Sequence, residues 1–116
     1  MSAGRYNYTI EAGATFSRTI TYTDPEDTPI DLSGSVIRMQ IRDNYSSEEA
    51  AISVSTTDGG IVLTGDPGVF VLTLTPELTG SIPFRQGVYD IEIEYADQTV
   101  ERVLEGRVKI STQVTQ

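Results

Sequence analysis

The chain is predicted to be all-β: an antiparallel sandwich of about seven to eight short strands with one short helical turn. Three observations carry that prediction. Apolar residues recur with period two in segment after segment, as in Tyr89, Ile91, Ile93 and Tyr95. Thr, Val, Ile and Tyr fill these segments, and they are the residues that suit a pleated, half-buried surface. Gly and Asp-Pro signals punctuate them at short intervals. Each strand keeps one polar face, which fits two packed antiparallel sheets better than a parallel sheet covered on both sides. The expected topology is immunoglobulin-like. Cys and Trp are absent, so the domain is not of the antibody type. One domain is expected over residues 1–116, with a flexible C-terminal tail over 111–116.

The strands read in order. "RYNYTIEAG" places Tyr6, Tyr8 and Ile10 on one face and ends at Gly13. In "ATFSRTITYT", Phe16, Ile20 and Tyr22 share a face with Arg18 as the exception, while Thr15, Ser17, Thr19 and Thr21 form a polar opposite face. "DPEDTP" is a turn, because both prolines disfavour helix at the preceding residue. "SVIRMQIR" alternates Ile37, Met39 and Ile41 with Arg38, Gln40 and Arg42. "DNYSSEEA" fits a loop or one helical turn with Ser46 or Ser47 as N-cap. "AISVSTTDGG" is a short strand and a tight turn, and "IVLTGDPG" another. "VFVLTLT" puts Phe70, Leu72 and Leu74 inward.

"TPELTGSIPF" carries the helical signals. Thr75 suits the N-cap, Pro76 suits the first helical position, and Glu77 complements the positive end of the dipole. Gly80 and Pro83 end the turn, which Leu78 and Ile82 anchor as a crossover between sheets. The last hairpin follows. Tyr89, Ile91, Ile93 and Tyr95 face inward, "ADQT" turns, and Leu104, Val108 and Ile110 return in phase. Gly106 interrupts that strand and predicts a bulge or bend.

Composition excludes several activities. With no Cys, neither a disulfide nor a thiolate metal site can form. With no His, a Ser-His-Asp or Cys-His machine cannot be built from this chain, and only oxygen-ligand metal sites remain. The net charge is −9, and the cations are scattered. Such a chain repels nucleic-acid phosphates and anionic membranes, so neither is an expected partner. No Gly-rich phosphate loop is present, and no cofactor is expected. "MSAGRYNYTIEAG" lacks a signal-peptide core, so the protein is expected to be made and kept in the cytoplasm or to leave it by a route other than Sec.

Three groups of residues invite a functional reading. On one strand, Asp90, Glu92 and Glu94 point the same way about 7 Å apart, a spacing compatible with paired catalytic carboxylates. They read instead as the solvated outer face of the hairpin, with Arg102 and Arg107 across from them, and as protection against edge-to-edge pairing. "DPEDTPID" clusters Asp24, Glu26, Asp27 and Asp31 but lacks the spacing of a Ca²⁺ loop, and reads as a solvated loop. Tyr6 and Tyr8 lie where a first strand can meet a neighbour, although core packing explains them as well. Tyr89 and Tyr95 are expected in the core with solvated hydroxyls. The interface candidates are Tyr6, Tyr8, Asp90, Glu92 and Glu94; no catalytic or metal-binding residue is assigned.

Three stretches, taken together, carry a family likeness: "YNYTIEAGATFSRTITYTDPEDTPIDLSGSVIRMQIR", "VFVLTLTPELTGSIPFRQGVYDIEIEYADQTVERVLEGRVKIS" and the ending "EGRVKISTQVT". They resemble a family of small virion proteins of tailed bacteriophages, cyanophages among them. They are also similar to the N-terminal domain of phage baseplate upper proteins, which attach receptor-binding proteins to the tail. The matching positions are Gly13, Asp31, Leu32, Gly34, Ile41, Arg42, Gly87, Tyr89, Asp90, Glu105 and Gly106. One departure is Gln98, where the family commonly carries Gly.

The resemblance implies an immunoglobulin-like connector of virion parts in the tail, baseplate or fibre-attachment region. It implies no enzymatic role, several copies in a symmetric assembly, other virion proteins as partners, and residence in a virion assembled in the host cytoplasm. The alternatives are a head or neck decoration protein of the same fold, or a carbohydrate- or Ca²⁺-binding host-surface module. The chain ends at Gln116 without a fibre-like extension, so it is not expected to reach a distant receptor by itself.

Overall fold

The computed structural model describes residues 4–24 and 26–111. In chain order the strands are β1 (Gly4–Arg5), β2 (Tyr8–Glu11), β3 (Phe16–Thr21), β4 (Val36–Arg42), β5 (Ile52–Ser55), β6 (Ile61–Leu63) and β7 (Val69–Leu74). Helix α1 (Pro76–Gly80) then leads to β8 (Gln86–Glu94) and β9 (Val100–Ser111). The larger sheet has the order β1-β9-β8-β4-β5, with β2 also paired to β9, and the smaller sheet has the order β3-β7-β6. Alternation dictates what lies between them. Ile37, Met39 and Ile41 of β4, Tyr89, Ile91 and Ile93 of β8, and Phe70, Leu72 and Leu74 of β7 are all buried in one core.

Helix α1 carries the chain from β7 in the smaller sheet to β8 in the larger one. Its cap is as the sequence predicts: Thr75 Oγ1 accepts from the Leu78 N–H at 3.3 Å, and Pro76 opens the helix. The anchor goes beyond the expectation. Leu78 and Ile82 pack at the core margin, but Thr79 is the fully buried helical residue. Its hydroxyl accepts from Gly13 N–H at 3.0 Å and donates to Ala14 O at 2.8 Å. One side chain thereby fixes the helix to the β2–β3 turn and satisfies two backbone groups.

Several expectations need correction. The first strand runs parallel to β9, with Gly4 opposite Leu104 and Tyr8 opposite Val108, so the sandwich is not purely antiparallel. Gly106 is not a bulge: Tyr89 faces Gly106 and Asp90 faces Glu105 in unbroken register. The irregularity lies between the pairs Ile91–Leu104 and Glu92–Arg102, where Val103 is the extra residue. Val103 is therefore buried, and Leu104 is only partly so. What Gly106 provides is close approach. A Cβ there would stand 2.0 Å from the Tyr6 carbonyl oxygen, so only glycine lets the first strand run this close alongside β9.

The "DNYSSEEA" segment forms no helix. The Asn44 side chain turns it instead, its Oδ1 accepting from Ser46 N–H at 3.0 Å and from Ser46 Oγ at 2.6 Å. Ser111 does not belong to a flexible tail, because it closes β9 opposite Glu11. The remainder of the expected tail, 112–116, lies outside the described residues. In "ADQT", Gln98 N–H donates to Tyr95 O, Tyr95 N–H donates to Thr99 O, and Gln98 sits at φ 75°. This is a three-residue hairpin loop whose left-handed position normally takes Gly. It explains why a two-residue turn does not form around Gln98.

Candidate interaction surfaces

The acidic row lies in the middle of a sheet, not on an edge strand or bare hairpin. β8 is flanked by β4 on one side and β9 on the other. Protection of a sheet edge is therefore not its role. Glu92 faces Arg38 across one ladder and Arg102 across the other. Arg38 reaches Glu94 at 3.3 Å and Glu92 at 4.0 Å, and Arg102 Nε stands 3.3 Å from Asp90 Oδ2. Arg107 lies opposite Val88, one step beyond the row, so of the two expected cations only Arg102 pairs with it. The missed partner is Arg38, whose polar-side position on β4 was visible in the sequence while the strand beside it was not.

Burial pushes the Asp90 carboxyl above its usual value; Arg102 opposes this, and Glu92 adds to it. Half-exposed ion pairs of this kind contribute about 0 to 1 kcal/mol each. The row is a solvated, internally compensated charge lattice rather than an acid/base pair.

Tyr6 and Tyr8 part company. Tyr8 is buried, its ring 5.3 Å from Phe16 and 5.2 Å from Tyr89. Tyr6 is 58% exposed and leans on Tyr8 at 4.8 Å. The ladder to β9 is interrupted between Arg5 and Tyr8, where the Tyr6 carbonyl lies close against Gly106. Asn7 Oδ1 accepts from Arg107 N–H at 2.9 Å, and Tyr6 O accepts from the Tyr89 hydroxyl at 2.6 Å. Of the pair, only Tyr6 offers a surface. Arg18, the charged exception on β3, lies 4.3 Å over the Phe16 ring and covers the margin of this aromatic cluster.

The Tyr89 and Tyr95 hydroxyls are not solvated as expected, since both bond within the protein. Tyr95 and Tyr22 both donate to Glu101 Oε1, at 2.9 and 2.6 Å. Glu101 faces inward because the extra residue Val103 reverses the phase of β9, placing it opposite Ile93. Tyr22, which follows β3 in the smaller sheet, is thus tied to β9 in the larger. Burial, reinforced by Glu101, pushes the Tyr95 phenol up to about 12 and raises Tyr22 as well. This seam had no clear signature in the sequence, because a bulge decides which way Glu101 points.

In "DPEDTPID" the Asp24 and Asp31 carboxylates serve their own loop. Asp24 Oδ1 accepts from the N–H groups of Glu26 and Thr28, and Asp31 Oδ1 accepts from Ser33 N–H. The Ser33 bond holds the Asp31 carboxyl below its usual value. Pro25 lies outside the described residues. Among the described residues no group of three or more carboxylates is placed to hold a metal ion. A shallow groove of about 510 Å³ crosses the outer face of the larger sheet, lined by Asn7, Gln86, Val88, Arg107 and Lys109 with Asp43 at its side.

The outer face of the smaller sheet is different in kind. Ser17, Thr19 and Thr21 of β3 lie opposite Thr73, Val71 and Val69 of β7, and Val62 of β6 completes the central row. None of the seven is charged. Val62 is 55% exposed, and the β3 residues are exposed.

No family model matches the chain, and no curated protein matches it. Among solved structures, it is similar to the extracellular domain of the voltage-gated sodium channel beta4 subunit. That protein's parallel homodimers are reported to explain its role in cell-cell adhesion. The TM-score is 0.51 at 10% identity, covering 98% of this chain and 97% of that one. At that identity the likeness establishes the fold: this chain is an immunoglobulin-like β-sandwich.

Proposed function

We propose that this chain is a non-enzymatic structural protein of a tailed-phage virion, acting as a connector in the tail, baseplate or fibre-attachment region. One observation carries the reading: the positions that bear the sequence resemblance spend their side chains on the fold. Leu32, Ile41 and Tyr89 are buried, and Asp31 caps its own turn. Gly87 leaves room for the Phe84 ring and the Arg42 carbonyl, as Gly106 does for Tyr6. A pattern written in such residues marks a scaffold that works through its surfaces, and a family of connectors is what it resembles.

The lack of His and Cys supports a non-catalytic role, and the net charge of −9 argues against nucleic acid as a partner. The adhesive homodimers of the sodium channel neighbour are an instance of the same fold working by surface contact. The partners in this reading are other virion proteins, with the chain present in several copies.

The test is mass spectrometry of purified virions of the encoding phage, followed by localisation in a cryo-EM map. The expected result is the chain in fixed stoichiometry at the tail or baseplate. Density on the head or neck would favour the decoration role instead. Absence from purified virions overturns the proposal.

A further inference from the structure

We propose that the uncharged outer face of the smaller sheet is a homotypic docking surface, occupied by a second copy of this chain. The observation is the distribution of charge. Of 116 residues, 25 are Asp, Glu, Lys or Arg, yet the seven outward positions of β3, β7 and β6 hold none. The central row, Thr19–Val71–Val62, is flanked by Ser17–Thr73 and Thr21–Val69. The nearby carboxylates, Asp58 and Asp66, sit in the loops before β6 and between β6 and β7. Depletion of charge is one mark of the core of an interface.

The occupant follows from electrostatics. At a net charge of −9, two copies repel over most approaches. Stacking sheets about 10 Å apart puts the charged outer faces of two copies docked this way roughly 30 Å apart, several Debye lengths at physiological salt. This face lets like-charged molecules meet without opposing their carboxylate rows. Its seven residues carry no charge with which to select a charged foreign partner, and Arg18 stands exposed at its β3 edge, 2.8 Å from Ser17 O; the same Thr and Val rows complement themselves across a two-fold axis.

The face covers roughly 300 Å², from three strands of about six residues, against about 800 Å² per partner in a stable complex. The contact is therefore weak in solution and becomes effective where copies are held close together. It stands apart from the virion reading, because self-association of the purified chain is measured without reference to where the protein resides.

Sedimentation equilibrium of the full chain over roughly 10 µM to 1 mM tests it, a range suited to a small interface. The expected result is a monomer–dimer equilibrium that strengthens from about 50 to 500 mM NaCl, as residual repulsion is screened. The double variant Thr19→Glu/Val62→Glu should weaken it at least about tenfold. The control Thr9→Glu/Ser53→Glu adds the same charge to the outer face of the larger sheet and should change it less than about twofold. Thermal melts establish that both variants remain folded. A chain that stays monomeric at every concentration and salt overturns the proposal. So does association that salt weakens, that the control pair reduces equally, or that the Thr19/Val62 pair leaves unchanged.

Discussion

On the outer face of the larger sheet, Arg38 and Arg102 interleave with Asp90, Glu92 and Glu94 across three strands. On the outer face of the smaller sheet, Ser17, Thr19, Thr21, Val62, Val69, Val71 and Thr73 form an uncharged surface of mostly β-branched residues. Both faces arise from the same alternation, and both stand over the same core. The difference is in what holds the strands in register. Opposite charges specify partners on one face, and packing of branched side chains does so on the other. The larger sheet is also the more constrained, since its parallel edge strand fits against β9 only where Gly106 leaves room for the Tyr6 carbonyl.

The largest effect should come from Gly106→Ala. The added Cβ meets the Tyr6 carbonyl and displaces the first strand, costing about 3 kcal/mol, against about 1 kcal/mol for Val71→Ala on the neutral sheet. Equal losses in urea denaturation would contradict the asymmetry.

Next are two turns of one kind. Gln98 in the β8–β9 hairpin and Asp27 in the loop after β3 both hold positive φ, at 75° and 69°. Asp tolerates that region better than Gln. Gln98→Gly should therefore stabilise by about 0.5 to 1 kcal/mol, and Asp27→Gly by less, read from denaturation midpoints.

A smaller contrast lies on the faces themselves. Arg38→Gln leaves Glu92 and Glu94 uncompensated on that side and should cost about 0.5 kcal/mol, fading as salt rises. Thr19→Gln should cost a similar amount at every salt concentration, because it removes only a branched side chain.

The last prediction concerns the seam that joins the two sheets and is read from how stability changes with alkaline pH. The folded Tyr95 phenol lies at about 12, above its ordinary 10.0, and Tyr22 is raised too. The folded state thus holds these protons more tightly than the unfolded chain. The stability they contribute is full below pH 10 and is lost as pH rises through about 12. Replacing both tyrosines with Phe should make that alkaline decline shallower without abolishing it, because burial raises Tyr8 and Tyr89 too, as followed by denaturation at fixed pH steps.

Sequence alone determined which residues face inward on β2, β4, β7 and β8, and where α1 begins. Side-chain alternation and helix capping are local properties, written within a few neighbouring residues. It also separated charged from uncharged strand faces, since the Thr and Ser row on β3 and the acidic row on β8 both stand out by spacing. Tertiary structure alone decided what those faces meet. The parallel docking of the first strand, the place of β8 between two arginine-bearing strands, and the gathering of β3, β7 and β6 into one neutral surface all require distant segments to return to one another. Local spacing carries no record of that return. The extra residue Val103 shows it on the smallest scale: it reverses the phase of the start of β9, turns Glu101 inward to Tyr22 and Tyr95, and sends Arg102 outward to Asp90.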